Sequence, residues 1–327
     1  MIFGFFKKET PEEKAEKERQ ELSIQSLERG GLPLRAQERI ERFKKDGNLF
    51  TTDFSCNEML LVEEAGYEPI SQVMGSSFVN ISYFGSFTSN RCTGELTDRT
   101  NALLLARQRA VSRLKQEAQA LGAHGVIGIK LKVKNWSWAS RLIECTAIGT
   151  AIKIPGRPDG GEPFTSDLSG QDFWKLYEGG HWPLTLVMGI SCYYVYTDMN
   201  TRMQLRNFWG GNNLANQELH LYTQSFNHAY NLAMSRLTYQ ADEVAAEGVV
   251  GAQVSHHLMD VEYEINDTTY HDLLITVTSI GTAIRLDDVQ REKRIQQPLM
   301  IMNVGKGSRR KAALAVEEYT TSLSDDD

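Results

Sequence analysis

The chain repeats itself, and a repeating chain must fold one backbone twice. FTTDFS from Phe50 recurs as FTSDLS from Phe164, and the register holds without a gap through VMGSS and VMGIS. Further on, AHGVIGIKL from Ala123 meets AEGVVGAQV from Ala246, and AIGTAIKI from Ala147 meets SIGTAIRL from Ser279. The second copy has therefore gained residues in two connections, and insertions of that kind fall in surface loops.

Each copy reads as a capped short helix, then strand, helix, strand, strand. Residues 70–82 alternate and are rich in valine, isoleucine and phenylalanine, which predicts a strand. Leu104, Val111, Leu114, Ala118 and Leu121 recur at helical spacing, which predicts a helix over 101–121. Two strands follow, over 126–134 and 142–154, joined across NWSWAS. The second copy predicts the same order over 182–196, 217–245, 249–257 and 272–286, with its last connection read as a long acidic loop carrying Asp260, Glu262, Glu264 and Asp267. Ser55 with Glu58, and Ser169 with Asp172, have capping-box spacing.

The most motif-like stretch, LGAHGVIGIKLKVK from Leu121, places its glycines after a helix. A phosphate loop needs the opposite order, with free N–H groups opening a helix toward the anion. Gly122 is replaced by Ala245 in the second copy, whereas Gly125 and Gly128 persist as Gly248 and Gly251. Gly125 and Gly248 are expected to be left-handed helix caps, and Gly128 and Gly251 to mark a bulge or a close backbone approach. Gly75 with Gly189, and Gly149 with Gly281, interrupt otherwise good strands, which suggests tight bends or close packing between subunits.

The strand with VMG, the amphipathic helix, the GVIG/GVVG strand and the IGTAI strand together resemble the YbjQ-like family, labelled heavy-metal-binding. The resemblance covers residues 50–154 and 164–286. It leaves 1–49 as a charged helical N-terminal arm, 155–163 as a linker and 287–327 as a C-terminal tail. It implies an α+β fold of two tandem two-layer β-α-β-β repeats, distantly dodecin-like, and a homo-oligomeric ring of five chains. Two copies per chain would then give two stacked rings or one ring of ten alternating units, through unlike head-to-tail contacts. Arg113 and Arg236, repeated on the two long helices, are candidates for salt bridges between subunits.

Composition removes other classes. A net charge of −7 argues against nucleic acid as a partner. Cys56, Cys92, Cys145 and Cys192 have no CxxC spacing, as expected of a reduced cytoplasmic protein. There is no nucleophile elbow or comparable signature, so no enzyme activity and no cofactor are expected. A divalent metal ion is the alternative, with His257, Asp260, Glu262 and His271 as candidate ligands. Tyr193, Tyr194, Tyr196, Phe208 and Trp209 could line a pocket or a strand face. Ile2, Phe3, Phe5 and Phe6 followed by Lys7 and Lys8 read as a weak membrane-surface contact that ring avidity would strengthen. The sequence reading is thus a non-enzymatic ring-forming scaffold, with a metal or small-ligand binder as the alternative.

Overall fold

A computed structural model describes residues 10–46, 50–81, 92–136, 139–158, 161–206 and 218–286. Over these residues the chain is α+β, with a helical arm ahead of two repeated units. Helix α1 (Pro11–Glu28) starts at a capping box formed by Thr10 and Glu13, with proline at its first turn. Gly30, at φ 77°, ends it, and α2 (Leu34–Asp46) follows.

The first copy contributes α3 (Cys56–Glu64), β1 (Glu68–Asn80), β2 (Gly94–Glu95), α4 (Thr97–Ala120), β3 (Gly125–Trp136) and β4 (Ala139–Lys153). The second contributes β5 (Phe164–Thr165), α5 (Gly170–Glu178), β6 (His181–Val195), α6 (Met199–Arg206), α7 (His220–Glu243), β7 (Gly248–Ile265) and β8 (Thr268–Leu286). Ser55 and Ser169 cap α3 and α5 through Glu58 and Asp172, at the spacing expected.

Two four-stranded sheets result, ordered β1-β4-β3-β5 and β2-β6-β8-β7. Each copy thus lends a short strand to the other's sheet. Helix α4 lies between the sheets. Val73, Cys145 and Ala147 pack on it from the first, while Met188, Ile190 and Cys192 pack on it from the second, in one continuous core. Helix α7 covers the opposite face of the second sheet, where Ala229 and Ala233 meet Val195 and Val277. All the described residues belong to a single compact unit.

The arm is fixed by charge as well as packing. Glu117 of α4 is buried, pairs with Arg39 of α2 and accepts the Met74 N–H at 3.2 Å. The second copy has Gln240 at the equivalent place, accepting the Met188 N–H at 2.9 Å without needing a counter-charge. Ile40 of α2 is buried beside this pair.

The glycines divide differently from the sequence expectation. The left-handed residues after the long helices are Gly122, at φ 75°, and Ala245, at φ 50°, not Gly125 and Gly248. Gly125 is required for space, because a Cβ there would lie 2.2 Å from the Phe164 ring; at Gly248 nothing approaches within 4 Å. Gly128 and Gly251, at φ 66° and 65°, sit in a break in strand register in both copies and form the expected bulge. Gly75 and Gly189 let α4 and α7 press on their sheets. A Cβ at either would lie 1.9 or 1.8 Å from the carbonyl oxygen of Ala110 or Ala233. Gly149 and Gly281 face Val126 and Val249 in the neighbouring strand of the same sheet.

The acidic loop expected in the second copy is instead a longer hairpin. β7 runs on to Ile265, and Asn266 and Asp267, at φ 49° and 57°, make a two-residue turn of the type that matches strand twist. Val261, Tyr263 and Ile265 alternate with Asp260, Glu262 and Glu264, so the acidic residues occupy one strand face.

Two stability measurements follow. Gly189→Ala should cost about 3 kcal/mol in urea unfolding, because the helix must lift off its sheet. Ala245→Gly should stabilise by about 1 kcal/mol by relieving the left-handed strain.

Candidate functional site: the junction between copies

The best-built feature is the seam where the second copy begins. Residues 164–168 lie along the edge of β3, in parallel pairing where Gly125 meets Phe164 and Val126 meets Thr165. Phe164 N–H donates to the His124 carbonyl at 3.1 Å and Ser166 N–H to the Val126 carbonyl at 2.9 Å. Past the bulge the direction reverses, with Gly128 N–H donating to Leu168 at 2.9 Å and Ile129 N–H to Ser166 at 3.0 Å. Below this ladder Phe164 stacks on Phe173 at 6.0 Å and meets Trp182 edge-on at 5.2 Å, while Phe173 meets Tyr67 at 5.1 Å. Val62, Ile127 and Ile152 of the first copy complete this cluster. Gly170 approaches so closely that a Cβ would lie 2.7 Å from that of Glu58.

The return strand β2 pairs Gly94 and Glu95 with Tyr194 and Tyr193 of β6. There Glu95 takes two hydrogen bonds from Arg236, at 2.5 and 2.8 Å. Burial opposes ionisation of Glu95, but the Arg236 guanidinium more than offsets it and holds the carboxyl below its usual range. Arg236 also donates to the Ile190 carbonyl at 2.7 Å, as Arg113 does to Ser76 at 2.5 Å. Both repeated arginines thus clasp the strand beneath their own helix, and Arg236 adds an ion pair across the copies of one chain.

The seam has an unused counterpart. Residues 50–54 correspond to 164–168, yet Phe50 is 37% exposed where Phe164 is 6% exposed. Thr52 and Ser166 keep equivalent bonds to Thr150 and Thr282, at 3.0 and 2.9 Å, so the two segments are positioned alike within their own copies. β7 corresponds to β3 but ends its sheet, and Gly251, Ala252 and Gln253 are exposed. Met74 and Phe78, 40% and 56% exposed, likewise correspond to Met188 and Cys192, which cover α4.

The metal candidates do not converge. Asp260 pairs with His271 at 2.8 Å, and Glu262 lies opposite His271 across the ladder. His257, three residues from Asp260 on the strand, points to the other face. Among the described residues no group of three or more His, Cys, Asp or Glu side chains could hold a metal ion, so the residues present do not fit a heavy-metal centre within one chain. The aromatic cluster is also dispersed. Tyr194 is buried and donates to Asp272, whereas Tyr193 faces His228 at 5.3 Å on the opposite side of the sheet. Ile2, Phe3, Phe5, Phe6, Lys7 and Lys8 lie outside the described residues, as do Phe208, Trp209 and the tail from 287. Sequence reasoning missed β2, β5 and Glu95, because a two-residue strand carries no periodicity. The repeated FT dipeptide ahead of each cap was the available signal.

The fold and seam define an α+β protein built by duplication, in which each half completes the other's sheet. Comparison with known proteins agrees. The profile of the YbjQ family, described as "Putative heavy-metal-binding", matches residues 63–155, within the first copy. A Mycobacterium tuberculosis protein named "Encapsulin nanocompartment protein Rv1762c" is 32% identical over 257 residues, covering 76% of this chain and 90% of that one. A "UPF0145 protein" of Limosilactobacillus fermentum is 36% identical over 91 residues, covering 27% of this chain and 80% of its own. A further UPF0145 protein, of Acinetobacter baylyi, is 38% identical over 72 residues, 22% of this chain and 65% of that one. No solved structure matches. The chain belongs to the YbjQ-like, UPF0145 family.

Glu95→Gln should destabilise the protein by about 2 kcal/mol at neutral pH. Because the folded-state pKa of Glu95 is depressed, its contribution is full above the unfolded value near 4.5 and is lost as pH falls through the folded value. Acid titration of the unfolding free energy should therefore show a shallower loss in Glu95→Gln than in the parent.

Proposed function

We propose that the chain is a non-enzymatic scaffold that assembles head-to-tail into a closed homo-oligomeric ring, with copies 50–154 and 164–286 as its alternating units. The observation that carries this reading is the mismatch between the two copies. Among the described residues the first copy offers a docking segment with no edge to dock on, and the second offers an edge with no segment. Residues 50–54 of one chain, laid on the β7 edge of the next, would repeat the internal seam, with Phe50 and Phe54 taking the places of Phe164 and Leu168. The same operation carries Met74 and Phe78 toward the outer face of α7, where Tyr230 and Tyr239 are exposed. One unlike contact repeated by rotation closes a ring without leaving an open strand edge.

The relative named as an encapsulin nanocompartment protein supports an assembling role; five chains per ring is what the YbjQ-like resemblance implies. A cytoplasmic setting accords with cysteines that form no disulfide. No helix among the described residues is long and apolar enough to cross a membrane. Residues 1–8 supply the proposed surface contact, which a ring would multiply. Metal or small-ligand binding between subunits is the second reading, supported by the family's description alone.

Native mass measurement tests the ring, with a multiple of the 36.9 kDa chain expected and a monomer at micromolar concentration overturning it. Phe50→Asp and Ala252→Pro, on the two halves of the proposed contact, should each give a folded monomer. Deleting residues 1–8 should abolish co-sedimentation with anionic liposomes while leaving the mass unchanged. Equal sedimentation of both forms would remove the membrane proposal.

A further inference from the structure

A second feature, separate from the seam, lies where α4 passes beneath the second sheet. A cleft of about 420 Å³ opens between α4, β3, β7 and β8. Arg99 and Arg107 of α4 line it, facing Ser255 and His257 of β7 and Thr276 and Thr278 of β8. Both arginines are at least nine-tenths buried. Arg107 donates one N–H to Thr278 at 3.3 Å, while its Nε–H, also buried, has no acceptor.

A hydroxyl satisfies one hydrogen of a guanidinium but none of its charge, and an uncompensated buried charge costs several kcal/mol. No carboxylate stands within ion-pair distance of Arg107 among the described residues. The groups able to supply it a negative charge are the thiols of Cys145 and Cys192, one from each sheet, while His257 across the cleft supplies none. Burial pushes Cys145 up to about 11 and raises Cys192, so both are neutral thiols at physiological pH and supply no counter-charge.

The fold does not demand arginine at these places. The counterparts of Arg99 and Arg107 on α7 are Tyr222 and Tyr230, whereas neighbouring Thr100, Ala110 and Arg113 recur unchanged as Thr223, Ala233 and Arg236. The cations are thus particular to the first copy's helix, where it borders this cleft. The remaining walls are apolar, from Leu131 and Val133 on one side and Met259 and Leu274 on the other.

We propose that this cleft binds a small organic oxyanion, a carboxylate or phosphate group on an apolar body, held by Arg107 and Arg99 with the hydroxyls of Thr276 and Thr278. Guanidinium groups match planar carboxylate and phosphate oxygens through paired N–H donors. A cleft of this size suits a small ligand.

Calorimetric titration of the full chain with benzoate, phenyl phosphate and neutral benzyl alcohol tests the proposal. Saturable binding of either anion, with a rise in melting temperature, is expected, and the tighter of the two distinguishes a carboxylate from a phosphate source. Arg107→Leu should fold and weaken that binding by at least about tenfold, as loss of a charged contact does. Should that variant not fold, Met259→Trp, which fills the cleft from the facing wall and leaves both arginines in place, should abolish binding. No saturable binding of either anion, equal binding of benzyl alcohol, or binding unchanged in a folded variant would overturn the proposal.

Discussion

The pairing of residues 164–168 with the edge of β3 is the interaction on which the rest of the molecule depends. It turns a duplicated sequence into one body, because the segment that starts the second copy finishes the sheet of the first. Four backbone hydrogen bonds and an aromatic cluster around Phe164 and Phe173 hold it. The edge it covers would otherwise present unpaired N–H and C=O groups. β2 returns the exchange on the other sheet, with Glu95 and Arg236 as its ionic clasp.

The pairing also sets what α4 must be. A helix packed on one sheet needs one apolar stripe, but α4 is covered on two sides. Its buried face therefore takes in Arg99, Arg107 and Glu117 as well as alanines and leucines. Glu117 is neutralised by the arm through Arg39. Arg107 has no such partner among the described residues, which is why the cleft beside it stands out from the surrounding core. The same helix in the second copy, covered on one side only, carries tyrosines and glutamine at these positions.

Much of the architecture was legible in the sequence, because the repeat made each element appear twice. The long helices, the central strands and both serine caps lie close to where periodicity and spacing put them, with the reciprocal box complete at Ser55 and Glu58. Persistence in both copies points to left-handed capping at Gly125 and Gly248. The strained position is instead the one where glycine alternates with alanine, at Gly122 and Ala245. Persistence can reflect space rather than dihedral, as the Phe164 ring at Gly125 shows. The acidic run reads as a loop by its charge, yet Val261, Tyr263 and Ile265 keep strand period within it. The seam itself was not legible. It depends on a two-residue strand meeting an edge in another sheet, and no local pattern encodes such a meeting.

The short connection between β4 and β5 bears on how the chain emerges during synthesis. Only about ten residues separate the end of β4 from Phe164, so the open edge of the first sheet is sealed almost as soon as it exists. An exposed edge is an aggregation hazard for a nascent chain. Among the described residues no segment seals β7 in the same way. Order of appearance along the chain therefore protects the first half from misassociation, a protection that the β7 edge does not share among the described residues.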